Sequence, residues 1–129
     1  MATRELTAAD FERTVLDNDI VLVDFWAAWC GPCRMFGPIF EKASEEHGDI
    51  VFGKVDTEAE QALAAAANIT SIPMLMAFRE GVLVYAQPGA LPAQGLEQVI
   101  AGVKGLDMAD VKAQIAEQAA TAQGGTTGA

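Results

Sequence analysis

Cys30 and Cys33 are the chain's only two cysteines, and only Gly31-Pro32 stands between them. Thiols at this spacing can close a small disulfide ring and reopen it, so the chemistry they offer is dithiol–disulfide exchange. Their surroundings sharpen that reading. The apolar run Ile20 to Trp26 leads into them and a helical pattern opens around Arg34 and continues to His47. The first sulfur therefore falls near a helix N-terminus, where the dipole and free N–H groups favour a thiolate. Pro32 removes a donor that the first turn leaves unpaired anyway and presets φ for it. Gly31 lets the backbone pass close to a partner.

Two other uses of a cysteine pair stay open at this level. Zinc needs about four ligands, and beyond the pair the chain has one histidine, His47, beside Glu45 and Glu46. His47 reads as a solvated residue at a helix end, with Gly48 as the C-cap; we expect no metal. A purely structural disulfide over so short a loop adds only about 2 kcal/mol in the chain-entropy model. A chain of 129 residues can bury an adequate core without it.

Eighteen acidic against eight basic side chains give a net charge of -10, which favours solubility and argues against nucleic acid or an anionic membrane as partner. Gln61 to Phe78 is uncharged, yet Gln61, Asn68, Thr70, Ser71 and Pro73 divide it into helix, turn and strand rather than a membrane span. Met1 to Leu6 carries no apolar signal segment. We therefore expect a cytoplasmic protein, in which an exposed C-x-x-C cycles instead of staying oxidised.

The elements that must position the cysteines alternate between β and α. Thr7 to Asp10 is a helix start with Thr7 as N-cap, and Phe11, Val15 and Leu16 supply its apolar stripe. Ile20 to Trp26 is apolar on both faces apart from Asp24, which predicts a central buried strand. In the cysteine helix, Pro38 predicts a kink. A strand over Ile50 to Val55 and a helix over Glu58 to Ala67, behind Asp56-Thr57, come next. Met74 to Phe78 and Val82 to Ala86 read as a hairpin turning at Arg79-Glu80-Gly81. A last core helix opens near Pro92 and carries Leu96, Val99, Ile100 and Val103. We expect a domain over residues 1–106 and an extension over 107–129. The extension is partly helical, with Asp107 as cap and Val111 and Ile115 on one face, then flexible from Gln123; it is poor in large apolar groups and buries little.

Val23 to Met35, Pro38, Lys54-Val55-Asp56, Ser71-Ile72-Pro73, Gly81 and Gly89-Ala90, taken in order, resemble the thioredoxin family over about residues 3 to 105. The resemblance implies an α/β thioredoxin fold, a central mixed sheet flanked by helices. It also implies protein-disulfide reductase activity without a bound cofactor, in a monomer. Electrons would come from NADPH through a flavin-dependent thioredoxin reductase, and the substrates would be disulfide-containing proteins. The Gly31-Pro32 dipeptide is the reducing form of the motif, where oxidase and isomerase relatives usually carry histidine.

Each carried-over residue also has a physical reading. Cys30, as the more exposed sulfur, is expected to attack, and Cys33 to resolve the mixed disulfide. Burial disfavours a charged Asp24 and raises its pKa towards that of a working proton acceptor for Cys33, through a water; the alternative is an aspartate that reaches solvent. Lys54 either tunes Asp24 by charge or snorkels at the surface. The resemblance implies a cis bond before Pro73 that faces the cysteines and frees the Ile72 backbone to pair with an extended substrate. Trp29, Gly31, Pro32, Ile72, Met74, Gly89 and Ala90 form the expected substrate patch, and Trp26 reads as core. Ser71, where many relatives have glycine, Met74, where a small polar residue is commoner, and the extension depart from the pattern. A rival reading is a non-catalytic binding module on the same fold, which would need neither cysteine.

Overall fold

The computed structural model describes residues 2–127, with side chains described for residues 2–120. A five-stranded mixed sheet forms its centre. Strands β1 (Thr3–Glu5), β3 (Val51–Asp56) and β2 (Ile20–Trp26) are parallel, and β4 (Met74–Arg79) and β5 (Val82–Pro88) continue antiparallel, in the order β1-β3-β2-β4-β5. Helices α2 (Gly31–Glu46) and α4 (Ala93–Lys104) cover one face, and α1 (Phe11–Asp17) and α3 (Gln61–Ala66) cover the other.

β2 is apolar apart from Asp24 because both of its faces are covered. Ile20 and Leu22 pack with Phe36, Phe40, Leu96 and Ile100 on the α2 side, whereas Val21, Val23 and Phe25 join Val15 and Phe11 on the α1 side. Side-chain alternation then fixes Asp24 on the α2 face. β3 obeys the same rule, with Phe52 on the α2 face and Val55 on the other, so Lys54 shares the face of Asp24. Phe25, Phe36, Phe40 and Phe52 are fully buried, each contributing roughly 2–3 kcal/mol. Phe40 meets Phe52 edge-on at 5.2 Å, joining α2 to β3.

Several elements differ in extent from the sequence expectation. β1 has no apolar residue to announce it, since Thr3-Arg4-Glu5 pairs only with β3 at the sheet edge. Asp10 Oδ1 accepts the Thr7 N–H at 2.7 Å, which makes Thr7–Asp10 a turn ahead of α1 rather than its first helical residues. Asp56 Oδ1 likewise takes the N–H groups of Glu58 and Ala59, and α3 begins only at Gln61. α2 runs unbroken across Pro38, which has no N–H to offer the Arg34 carbonyl. The β4–β5 turn is formed by Glu80 (φ 52°) and Gly81 (φ 80°), the two left-handed positions of a tight hairpin.

His47 is not solvated as expected. Its Nε2 lies 2.8 Å from Glu97 Oε1 and its ring packs near Phe52, so it ties the end of α2 to α4.

The extension forms helix α5 (Met108–Thr127), which continues into the glycine-rich stretch anticipated as a tail over 123–129; residues 128 and 129 lie outside the described residues. Its start and the segment that leads into it are docked. One Arg79 nitrogen donates to the carbonyls of Val103, Lys104 and Leu106, Lys112 pairs with Glu80 at 2.6 Å, and Met108 is 6% exposed. Residues 112–120 are exposed. Cutting the chain after Leu106 is expected to lower stability by roughly 2 kcal/mol, the burial of Met108 and part of Val111. Cutting after Glu117 should change it by less than about 1 kcal/mol. Denaturant midpoints of the two truncations check both values, and equal losses would place the docking further along α5.

Candidate active site

Cys30 and Cys33 form a disulfide with Cα atoms 5.2 Å apart. The end of β2 delivers them through Ala27-Ala28-Trp29 to the start of α2, where Cys30 is the N-cap residue. Its Sγ accepts the Cys33 N–H at 3.2 Å, occupying one of the donors that a helix start leaves unpaired. The two residues are 4% and 5% exposed, a difference too small to separate them, but they differ in position. Cys30 sits at the cap beside exposed Gly31-Pro32, with Sγ 3.7 Å from the Ile72 carbonyl oxygen. Cys33 lies within the first turn and faces a cleft shared with Asp24.

The Ile72–Pro73 bond is cis and closes the site from the start of β4. The Pro73 carbonyl accepts the Gly89 N–H at 2.8 Å, and Gly89 holds φ 108°, a conformation that favours glycine. Pro73 is buried, Ile72 and Met74 are half-buried, and Gly89 and Ala90 are exposed. Trp29 is 66% exposed. A Cβ on Gly31 would meet no atom of the described residues within 4 Å beyond its chain neighbours and its own helix backbone, so packing inside the domain does not require glycine there. The seven expected patch residues thus gather around the cysteine loop and the cis bond.

Behind the cysteines lies a cleft of about 500 Å³ lined by Asp24, Trp26, Cys33, Glu41 and Lys54 among others. Asp24 is fully buried, and neither carboxylate oxygen has a hydrogen-bond partner among the described residues. Burial pushes its carboxyl from an ordinary 3.8 up to about 7, with the charge of Lys54 opposing the rise. Lys54 is the residue directly opposite on β3. Its Nζ stands 5.2 Å above the Trp26 ring and 4.0 Å from Glu41. Trp26 is half-buried and forms a wall of this cleft rather than part of the sealed core. Among the described residues no group of three or more His, Cys, Asp and Glu side chains is placed to hold a metal ion.

Sequence and structure comparisons fit this geometry. The sequence profile described as Thioredoxin matches residues 2–102. The chain belongs to the thioredoxin family. It is 57% identical to a putative thioredoxin 2 of Streptomyces coelicolor over 121 residues, covering 94% of this chain and 90% of that protein. Residues 1–106 cannot hold that many positions, so this match takes in part of the extension. The thioredoxin of Porphyra purpurea is 42% identical over 78% of this chain and 95% of its own. Among solved structures, Plasmodium falciparum thioredoxin superposes with a TM-score of 0.73 at 34% identity, over 78% of this chain and 98% of the other. As a thioredoxin-family member carrying the Cys30–Cys33 disulfide, the chain is a thiol-disulfide oxidoreductase that reduces disulfides by thiol exchange.

Three further residues at the site escaped the sequence reading. Glu58 accepts the Trp29 indole N–H at 3.2 Å and fixes the exposed ring. Met35, 72% exposed, adds apolar surface next to the cysteine loop. Glu41 enters the cleft from α2. The first and last are acids on loop or helix surfaces, a pattern shared with solvated residues; an exposed methionine two places after a cysteine was the one readable signal.

Proposed function

We propose that the chain reduces protein disulfides in two exchanges with assigned roles. Cys30, as thiolate, attacks a substrate sulfur, forming a mixed disulfide as the substrate S–S bond breaks and the first substrate sulfur leaves as a thiolate that takes a proton from solvent. Cys33 then gives its proton to the Asp24 carboxylate through a water and attacks Cys30 Sγ. The mixed disulfide breaks, the second substrate sulfur leaves as a thiolate that is protonated by solvent, and two electrons have passed from the dithiol to the substrate. The helix N-terminus favours the Cys30 thiolate. Lys54 limits how far the Asp24 pKa rises.

The observation that carries this reading is the placement of a capping sulfur 3.7 Å from the backbone of a cis-proline loop, with the second sulfur facing a buried carboxyl. The Ile72 backbone pairs with an extended substrate segment while Trp29, Gly31, Pro32, Met74, Gly89 and Ala90 receive its side chains. Two electrons from NADPH, passed on by a flavin-dependent thioredoxin reductase, restore the dithiol. We place the protein in the cytoplasm as a monomer, with residues 1–106 as the working domain and 107–129 as an appendage; a reducing compartment keeps a redox-active C-x-x-C cycling.

Insulin reduction tests this directly. With NADPH and a thioredoxin reductase, addition of the chain is expected to start NADPH oxidation coupled to insulin precipitation. Turnover with dithiothreitol but not with the reductase would overturn the electron source, and turnover with neither would overturn the reductase reading.

A further inference from the structure

The cleft behind the disulfide holds two carboxylates and one shared ammonium. Asp24 and Lys54 are register partners on β2 and β3. Facing them from α2 is Glu41, whose Oε1 accepts the Thr3 hydroxyl of β1 and lies 4.0 Å from Lys54 Nζ. Its Oε2 is buried in the cleft without a hydrogen-bond partner among the described residues. Glu41 is thus held by the edge strand on one oxygen and turned towards the ammonium. The side chains of Glu41 and Lys54 are only 22% and 20% exposed, so solvent screens this contact less than it screens a surface pair.

We propose that Glu41 is a positioning residue for the proton-transfer half of the reaction: it draws the Lys54 ammonium away from Asp24 and so sets how much of that charge Asp24 feels. The inference rests on the reading of Asp24 as acceptor for Cys33. The alternatives for the ammonium are few. Directly opposite Asp24 on β4 stands Leu75, which carries no charge. On α2 the other ionisable side chains lining the cleft are Cys33 and Arg34, and Arg34 Nε is engaged by the Ala28 carbonyl at 3.2 Å. Lys54 is therefore the one cation on β3 that Asp24 and Glu41 share. Removing the negative charge of Glu41 leaves Lys54 to Asp24 alone and also removes a like charge from the cleft. Both changes favour ionised Asp24.

Glu41→Gln keeps the size of the side chain and an oxygen for the Thr3 hydroxyl. It is expected to move the Asp24 titration midpoint, followed by carboxyl NMR in the oxidised protein, down by about half a pH unit, which at a pH below the midpoint raises the ionised fraction about threefold. In a Lys54→Met background the same substitution should shift the midpoint by less than half as much, because the shared ammonium is gone. An unmoved midpoint in Glu41→Gln, or an equal shift in both backgrounds, overturns the proposal. The acceptor reading fails separately: if Asp24→Asn reduces insulin at the wild-type rate, Asp24 is not the relay, whatever the NMR midpoints show.

Discussion

Replacing Cys30 with serine is expected to bring insulin reduction down to the uncatalysed background, whereas replacing Cys33 leaves the first attack intact and stops the cycle with substrate attached. The asymmetry comes from position. Cys30 is the helix cap, and its sulfur accepts a backbone N–H at 3.2 Å, a contact that stabilises a thiolate more than a thiol. A serine hydroxyl can accept the same N–H, serine being among the favoured capping residues, so Cys30→Ser should fold normally and fail only in chemistry. Cys33→Ser removes the one group placed to break the mixed disulfide. Incubated with oxidised insulin, it should accumulate a covalent adduct visible by mass spectrometry, and in a cell extract it should hold the physiological substrates on Cys30. Because the two residues are equally buried, alkylation rates against pH in the reduced protein decide the order of attack. A lower-pKa, faster-reacting Cys33 would reverse the assignment.

The fold and the reacting pair were legible because their signals are local or periodic. Two cysteines around Gly31-Pro32 between an apolar run and a helical pattern define a capped turn without reference to the rest of the chain, and Asp24 stands out because every neighbour on its strand is apolar. Alternation along Ile20–Trp26 even gives the face on which Asp24 lies, once Phe36 and Phe40 are known to occupy it. What stayed illegible is polar and long-range. The Thr3–Glu41 bond spans 38 positions, Trp29–Glu58 spans 29 and His47–Glu97 spans 50. In each the acid is of a type and setting that equally describes a solvated surface residue. β1 was hidden for the same reason, its residues being polar and its existence depending on the edge that β3 offers. Arg79 shows a third case: its position predicts a hairpin turn, but three carbonyls at the end of α4 draw its side chain across and create the seat on which α5 begins.

Asp24→Asn is expected to make the protein more stable and its reduction slower, both above neutral pH. In the folded chain the carboxyl titrates at about 7 instead of an ordinary 3.8, chiefly through burial, so the folded state binds this proton more tightly than the unfolded chain does. Below pH 4 both states are protonated and the group adds no pH dependence. As pH rises from about 4 to about 7 the unfolded chain releases its proton first, stability falls, and above the folded value the loss is complete. A gap of about three units corresponds to roughly 4 kcal/mol. Asparagine never ionises and escapes that loss, although burying its amide where Asp24 finds no hydrogen-bond partner among the described residues costs about 1–3 kcal/mol. The variant should therefore exceed the wild type by roughly 2 kcal/mol at pH 8 and show no advantage at pH 4, a crossover that urea midpoints at the two pH values will reveal. Equal midpoints at pH 8 would mean that solvent reaches the carboxylate. The rate is the independent half of the test: without an acceptor for the Cys33 proton, resolution of the mixed disulfide at pH 8 should slow at least about tenfold. A stability gain with an unchanged rate would leave Asp24 as a buried acid that plays no part in the transfer, and Cys33 would have to lose its proton to water.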